Sequence, residues 1–439
     1  MTHTNTASLE LAALKPDIYK ALVPRDAAEQ KRAFLAGEVR NPHHDYAKLD
    51  RPYADEVGTI INTGIDAVQE LGSAGQKFEG VYDECIESFV ETDELMDFMR
   101  RYDEATDIAD RQRYRDEIMK LNIETYGQPK VRDYHHILAV YMKKIDANHI
   151  GFRQKTLQAY YELMEGFPTI HEVEDPGAYA PQQATIEWMS HAVEHLYGGM
   201  LAHVEDGRVY NPRELQALFT EIIVDEFGEA AAEWRVDVEP AASINVKAQE
   251  KRIVIPSDRE PVGAEKARDL VVHEIGVHML RAVSGFETNV PLLGTGLAKY
   301  LDSEEGLGVV MEQARKGKFV EAGHGLYLAA SLAHVEGMDF RGVFEIMWRI
   351  SLLSSENANE AGAVEKARNT AYNLCMRIFR GTDSIPWFKD LQYYNGASNV
   401  WKNLDKICGD DAALSLMLAA KTDIANGEQR NIVLEASTV

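Results

Sequence analysis

The period of the hydrophobic pattern changes twice along this chain, and these changes are what most constrain its fold. From residue 9 to about residue 227, apolar residues recur at helical spacing while acidic residues fill the outer faces. Near Trp234 the period becomes two and stays so through residues 244–255, which predicts a small antiparallel sheet. The helical pattern then returns over residues 261–426. The predicted fold class is therefore α+β, mainly α-helical.

These changes of pattern suggest three parts of the chain. Residues 1–230 are predicted to form a helical N-terminal region that packs on the rest of the protein. Residues 231–426 hold the sheet and the motifs described below, and we expect them to form the functional domain. Residues 427–439 are interpreted as a C-terminal tail.

Charge and cysteine content limit the partners that this chain can have. There are 46 lysine and arginine residues against 71 aspartate and glutamate residues, so the net charge is −25. Such a charge repels phosphate backbones and anionic bilayers, and we expect neither nucleic acid nor membrane as a partner. Cys85, Cys375 and Cys408 form no CxxC pair and are odd in number, which favours free thiols in a reducing compartment. With no leader-like or membrane-spanning segment in view, a cytoplasmic protein is expected.

The strongest local signal is HEIGVH at residues 273–278, an HExxxH pattern inside a predicted helix. Two imidazoles on one helix face suit Zn²⁺, but His273 and His278 are five residues apart. A regular helix places such residues about 140° apart, because each residue turns the helix by about 100°. A one-residue π-bulge would bring the two rings together. The spacing therefore predicts a metal site on a distorted helix.

A catalytic zinc site needs a third protein ligand and leaves a position open for water. The acidic helix that follows offers Glu304, Glu305 and Glu312, and spacing alone does not choose among them. Glu274 directly follows the first histidine, so it is the candidate general base that takes a proton from the attacking water.

A second histidine pair competes for the metal role. His191 and His195 belong to an HxxEH pattern and are four residues apart, which is the better spacing for a regular helix. They lie in the helical half, beside Trp188, with no sheet before them. We interpret them as core histidines with hydrogen-bond partners. His324 and His334, ten residues apart in an alanine-rich helix, are also expected to pack rather than to bind metal.

A group of cations and phenols lies near the end of the helical pattern. Arg377, Arg380, Lys389 and Tyr393 fall within 17 residues of one another. Arginine binds carboxylates through two hydrogen bonds, and tyrosine can donate to a developing oxyanion, so the group would suit a peptidase that recognises a C-terminal carboxylate. The alternative is an ordinary helix end that is solvated or salt-bridged.

Several short motifs recur in an order that points to a known family. HEIGVH is followed by GLAKY at 296–300, EEGLG at 304–308, FRG at 379–381 and a KDxxYxxG pattern at 389–396. Over about residues 230–400 the chain resembles the microtubule-associated tyrosine carboxypeptidase family. The bacterial branch of that family carries a QEGLA motif and is described as modulating flavohaemoglobin expression.

The resemblance implies a zincin-like catalytic domain whose sheet lies beside the HExxxH helix. It implies a catalytic glutamate at Glu274 and three Zn²⁺ ligands, His273, His278 and Glu305. It also raises three residues on the substrate side, Arg380, Lys389 and Tyr393.

Two departures from the family pattern are visible. EEGLG differs from QEGLA at positions 304 and 308, and Val277 stands where threonine is common. We expect neither departure to touch a metal ligand.

The expected function is a zinc metallopeptidase that removes C-terminal residues from peptides or proteins. A substrate would add as a strand to the sheet edge around residues 244–255. The net charge makes tubulin, with its acidic tails, a poor match. Two alternatives stay open: an N-terminal zinc exopeptidase similar to dipeptidyl peptidase III, and a regulatory protein that retains the metal site without catalysis.

Overall fold

The computed structural model describes residues 6–16, 18–46, 54–71, 75–171, 174–241, 243–382 and 384–436. Helices dominate these ranges, and a few short strands lie between the two helical parts. The predicted α+β, mainly α-helical class is therefore confirmed. No helix within these ranges is both long and apolar enough to cross a membrane.

Helices precede and follow the strands. The helices before the sheet are α1 (Thr6–Ala13), α2 (Ile18–Ala21), α3 (Ala27–Ala36), α4 (Ala54–Glu70), α5 (Gly75–Glu104), α6 (Ile108–Tyr126), α7 (Val131–His149), α8 (Gln154–Gly166), α9 (Gln183–Ala202) and α10 (Pro212–Phe227). Those after it are α11 (Ala264–Leu270), a π-helical segment (Val271–Met279), α12 (Leu280–Phe286), α13 (Leu292–Thr295), α14 (Leu301–Arg315), α15 (His324–His334), α16 (Phe340–Leu353), α17 (Ala363–Ile378), α18 (Gln392–Lys406), α19 (Asp411–Leu418) and α20 (Gly427–Ala436). Short 3₁₀ turns cover Pro168–His171, Gly228–Ala231 and Lys389–Leu391.

The start of α10 shows how local sequence sets a helix boundary. The side chain of Asn211 accepts hydrogen bonds from the backbone N–H groups of Arg213 (2.9 Å) and Glu214 (3.1 Å). The Glu214 carboxylate accepts in return from the backbone N–H of Asn211 at 2.8 Å. Pro212 at the first helical position has a φ angle already suited to a helix. This reciprocal capping satisfies donors that a helix start leaves open.

Within the described ranges, five short strands form two sheets. The larger sheet has the order β2-β4-β3, with β2 at Arg235–Glu239, β3 at Asn245–Lys247 and β4 at Arg252–Pro256. The smaller sheet pairs β1 (Val209–Tyr210) with β5 (Val262–Gly263).

The larger sheet lies where the sequence predicts it, but the prediction that it is antiparallel is wrong for one of its two pairings. Strands β3 and β4 are antiparallel, because the turn at residues 248–251 is too short for a crossover. Strands β2 and β4 are parallel, with Val236 opposite Ile253. Alternation of period two shows which side chains share a face and carries no information on strand direction.

One hydrophobic core joins the sheet to the helix that carries HEIGVH. Ile253 of β4 and Val272 of the π-helical segment are fully buried in it, and so are Met189 of α9 and Phe219 of α10. Its members therefore come from both sides of residue 230. The predicted division of the chain at residues 230 and 426 stays a prediction. The start of the predicted tail forms α20, whose residues contribute to another buried cluster.

Helices α14 and α18 approach each other closely because each has a glycine at the contact. A methyl group on Gly306 would collide with the backbone of Gly396, and one on Gly396 would collide with the carbonyl oxygen of Asp302. Gly396 is the glycine of the KDxxYxxG pattern. The close approach brings the residues before it, Lys389 and Tyr393, towards the acidic residues of α14.

Candidate metal centre

The HEIGVH segment is π-helical in the structure, as its spacing predicts. Residues 264–286 form one continuous helix whose central part, Val271–Met279, is a π-helix. The distortion extends over nine residues, which is longer than a one-residue bulge. The rings of His273 and His278 are brought to a centroid distance of 4.7 Å, at 81° to each other. The wider π turn thus places on one face two histidines that a regular helix would separate.

Glu305 of α14 completes a group of three candidate ligands. One ligand atom from each of His273, His278 and Glu305 lies within 4.8 Å of those of the other two. Both histidines are largely buried, and Glu305 keeps a side-chain exposure of 18%. These are the three ligands that the sequence analysis took from the family resemblance.

The two other acidic candidates have a different position. Glu312 accepts a hydrogen bond from Nδ1 of His273 at 2.8 Å, and Glu304 accepts one from Nδ1 of His278 at 2.9 Å. Histidines that bind metals usually donate one ring N–H to a carboxylate in this way, which fixes the ring and its tautomer. The Nε2 atom of each ring then remains available to a metal. The three glutamates that the spacing left as alternatives therefore differ in position: Glu305 is the candidate ligand, and Glu304 and Glu312 each pair with the Nδ1 atom of one histidine.

Glu304 is also the centre of a buried charge network that the sequence did not reveal. Arg281 and Lys421 both donate to its carboxylate, and Arg281 donates in addition to the carbonyl oxygen of Thr422 at 2.9 Å. Burial raises the pKa of Glu304, but Lys421, Arg281 and the His278 hydrogen bond together hold it well below 4.5. The carboxylate is therefore ionised. No sequence signal links it to Lys421, which lies 117 residues away.

The electrostatics of the group favour a positive charge. Burial lowers the pKa of His273, but the hydrogen bond to Glu312 and the charges of Glu274 and Glu312 outweigh it and raise the pKa to about 9. Burial, with Glu274 and Glu304 nearby, raises the pKa of Glu305 although the two histidines oppose this. The carboxylates around His273 thus favour a positive charge, whereas burial is the main cause of the shift of Glu305. Two imidazoles and one carboxylate are a donor set that suits Zn²⁺, so the residues fit such an ion.

Both residues at which EEGLG differs from QEGLA contact the histidines, so the expectation that this departure touches no candidate ligand is wrong. Glu304, in place of glutamine, makes the hydrogen bond to His278. Gly308, in place of alanine, lies against the ring of His273: a methyl group there would be 2.6 Å from Cε1. The sequence could not show this, because both contacts cross from one helix to another.

The candidate ligands lie at the wall of a large cleft of about 2530 Å³. Glu274 lines the same cleft and is 8% exposed. Strand β3, an edge strand of the larger sheet, lines it as well. The sequence predicts a sheet edge at residues 244–255. Within that range only β3 is an edge strand, because β4 is the central strand of the sheet.

The predicted substrate-side residues Arg380, Lys389 and Tyr393 also line the cleft. Lys389 is buried, and its Nζ lies 3.8 Å from Oε1 of Glu305. Burial lowers the pKa of both Lys389 and Arg380. Asp390 accepts two hydrogen bonds of 2.7 Å from Arg377. The salt-bridge alternative therefore applies to Arg377.

The histidines of the competing HxxEH pattern lie apart from this cleft. His191 and His195 are exposed on the surface of α9, so the interpretation as buried core histidines is wrong. The pattern does lie on a helix, as predicted, but other residues form the buried face of α9. Among the described residues, neither histidine belongs to a group that could hold a metal ion.

The two histidines of α15, His324 and His334, have different surroundings. His334 packs on the ring of Phe388 at a centroid distance of 5.1 Å. His324, which we expected to pack, lies with His136 and Glu321 in a second group of candidate ligands. A third group, on the surface, consists of His203, Glu221 and Asp225.

Comparison with known families agrees with this geometry. A comparison with curated proteins finds no significant match. The family model described as "microtubule-associated tyrosine carboxypeptidase" matches residues 187–430, which is more than half of the chain. The matched segment includes the π-helical histidines, α14 and the substrate-side residues. The chain therefore belongs to the microtubule-associated tyrosine carboxypeptidase family.

Proposed function

We propose that this chain is a zinc-dependent peptidase that removes residues from the C-terminus of peptides or proteins. The observation that carries the proposal is the convergence of His273, His278 and Glu305 on one face, with Glu274 beside them in the cleft. Membership of a carboxypeptidase family supports a hydrolytic role. A zinc ion held by these residues would supply Lewis-acid chemistry to a peptide carbonyl and to water.

Glu274 is proposed as the general base. It is adjacent to His273 in the chain, is nearly buried, and its charge acts on both His273 and Glu305. In this position a carboxylate can take a proton from the attacking water and return it to the leaving amine. A site that only holds a metal needs no such residue.

The substrate would be held along β3 and at its terminus. An extended peptide can pair with the outer edge of β3, which lies along the cleft. Arg380 and Lys389 are proposed to bind the terminal carboxylate, since both are cations in the cleft wall and Lys389 lies beside Glu305 and Tyr393. Burial and the charge of Glu305 raise the pKa of Tyr393, so its hydroxyl stays protonated and can donate a hydrogen bond to substrate oxygen.

Peptides with blocked ends test this proposal. One peptide library is prepared with free ends, with an acetylated N-terminus and with an amidated C-terminus, and products are identified by mass spectrometry. We expect trimming of the first two forms and none of the amidated form. A pattern in which acetylation blocks cleavage and amidation does not would overturn the carboxypeptidase proposal in favour of an N-terminal exopeptidase.

Two variants separate catalysis from metal binding. Glu274→Gln is expected to keep the zinc content and to lower the rate by about 10²–10⁴-fold. The matched control is His195→Ala, a change at an exposed histidine on α9 that should alter neither quantity. If Glu274→Gln retained full activity, or if the activity survived complete removal of zinc, the proposed mechanism would be wrong.

A further inference from the structure

A second group of histidine and carboxylate side chains lies away from the candidate centre described above. His136 of α7, Glu321 in the loop after α14, and His324 at the start of α15 each offer one ligand atom, and these atoms lie within 4.8 Å of one another. Nε2 of His136 is 2.8 Å from Oε1 of Glu321, and Nε2 of His324 is 3.3 Å from Oε2. His136 is 6% exposed, and the other two side chains are mostly buried.

The hydrogen bonds of this group leave a nitrogen atom unsatisfied. Nδ1 of His136 is 2.7 Å from Oδ1 of Asp175, whose carboxylate also accepts from the backbone N–H of Gly177 at 2.8 Å. Nε2 of His136 faces the carboxylate of Glu321, so this ring lies between two carboxylates. Nε2 of His324 is buried and makes no hydrogen bond of acceptable geometry. Protons alone leave Nε2 of His324 with only the 3.3 Å contact to Glu321, whereas a divalent cation would bind all three groups.

The arrangement repeats that of the first group. In both places the Nδ1 of a histidine is paired with a carboxylate: Asp175 for His136 and Glu312 for His273. In both places the group also contains a second histidine and a glutamate from another element. Carboxylate pairing of this kind orients metal-binding histidines.

We propose that His136, Glu321 and His324 form a second metal site, which takes a first-row divalent ion such as Zn²⁺. Two imidazoles and one carboxylate suit such ions better than Ca²⁺ or Mg²⁺, which prefer oxygen ligands. The proposal is independent of the peptidase function, because it needs neither Glu274 nor a substrate.

The site would connect three elements around one wall of the cleft. Asp175 belongs to the loop that contains Gly177 and Tyr179, both of which line the cleft. His324 lies 5.8 Å, ring to ring, from Tyr394, another cleft residue. An ion bound here would therefore fix the position of this wall without contacting the reacting bond.

Metal counting tests the proposal. The full-length protein is stripped of metal, dialysed with Zn²⁺ and analysed by inductively coupled plasma mass spectrometry. We expect two ions per chain in the wild type, and one each in His324→Ala and His278→Ala. The matched control is His334→Ala, which removes the other histidine of α15 and should leave two ions.

Two outcomes would overturn the proposal: a single ion in the wild type that His278→Ala loses and His324→Ala keeps, or two ions in His324→Ala. In either case His136, Glu321 and Asp175 would be an ion-pair network only. If His324→Ala does not fold, as judged by circular dichroism, Glu321→Gln replaces it with the same expected loss of one ion. Co²⁺ added to His278→Ala provides a further measurement, since its visible absorption reports imidazole and carboxylate ligands.

Discussion

The buried network around Glu304 gives the sharpest prediction. Glu304→Gln keeps the shape of the side chain and restores the glutamine of the QEGLA motif, but it removes the one carboxylate to which Arg281 and Lys421 both donate. Arg281 is completely buried and Lys421 nearly so. The variant therefore leaves two buried cations without their counter-charge, and His278 without an ionised acceptor at Nδ1.

Removal of one partner from a buried ion pair costs about 3–5 kcal/mol, and we expect the free energy of unfolding to fall by that amount. Loss of an orienting carboxylate weakens metal binding by about 10–100-fold. Urea unfolding measures the first quantity and competition with a zinc chelator the second. Because the pKa of Glu304 in the folded protein is well below 4.5, its stabilising effect is present above pH 4.5 and is lost as the pH falls further. The difference from wild type should thus be constant from neutral pH to 4.5 and shrink below it.

Glu312→Gln is the matched control, because it removes the carboxylate paired with the other histidine. Lys266 beside Glu312 has a side chain that is 46% exposed, and His273 can release its proton once the carboxylate is gone, so no fixed buried charge is left behind. We expect a similar loss of zinc affinity with a stability loss of only about 1 kcal/mol. Adding Lys421→Met to Glu304→Gln should recover part of the stability and none of the affinity. Equal stability losses in the two single variants would refute the charge-balance argument.

Three further changes test other contacts. Gly308→Ala places a methyl group 2.6 Å from Cε1 of His273 and should weaken zinc binding about 10-fold in the chelator assay, whereas unchanged affinity would show that the ring position is not critical. Gly396→Ala would drive a methyl group into the carbonyl of Asp302 and should destabilise the protein by about 1–3 kcal/mol in urea, a loss that is absent if α18 can shift freely. Burial lowers the pKa of Lys15 from 10.5 to about 8. Between these two pH values Lys15 binds a proton in the unfolded chain but not in the folded protein, so the free energy of unfolding should rise with pH across that range. Lys15→Met should remove this rise in urea unfolding at the two pH values, and an identical slope in both proteins would contradict the assignment.

The sequence predicts the elements of this protein better than their arrangement. The helical periodicity locates the helices, and the spacing of His273 and His278 predicts the π-helical distortion, because both depend on local geometry. The direction of β2 relative to β4 could not be predicted, since alternation is the same in either direction. The exposure of His195 was missed because a helical pattern with many apolar residues does not show which face a neighbour covers.

The same distinction between local features and contacts across the fold applies to the candidate site. Glu274 follows from adjacency to a histidine, and Glu305 follows from the family motif. Arg281 and Lys421 could not be found, because their importance lies in a contact with Glu304 that forms only in the folded protein. The contribution of His136 to a second group is of the same kind, since Glu321 is 185 residues away from it.

Helix α14 explains why one short motif has so much influence on this site. Successive residues of a helix point about 100° apart, so Glu304 and Glu305 cannot lie on the same side of α14. Glu304 pairs with Nδ1 of His278, and Glu305 belongs to the group of candidate ligands. Gly308, one turn on, gives space to His273, and Glu312, about another turn on, holds its Nδ1. The helix therefore runs along the π-helical segment in a fixed register, and a shift by one residue would misplace all four positions together. The proposed metal site depends on this whole pattern, because Glu305 alone would face histidines whose rings nothing orients.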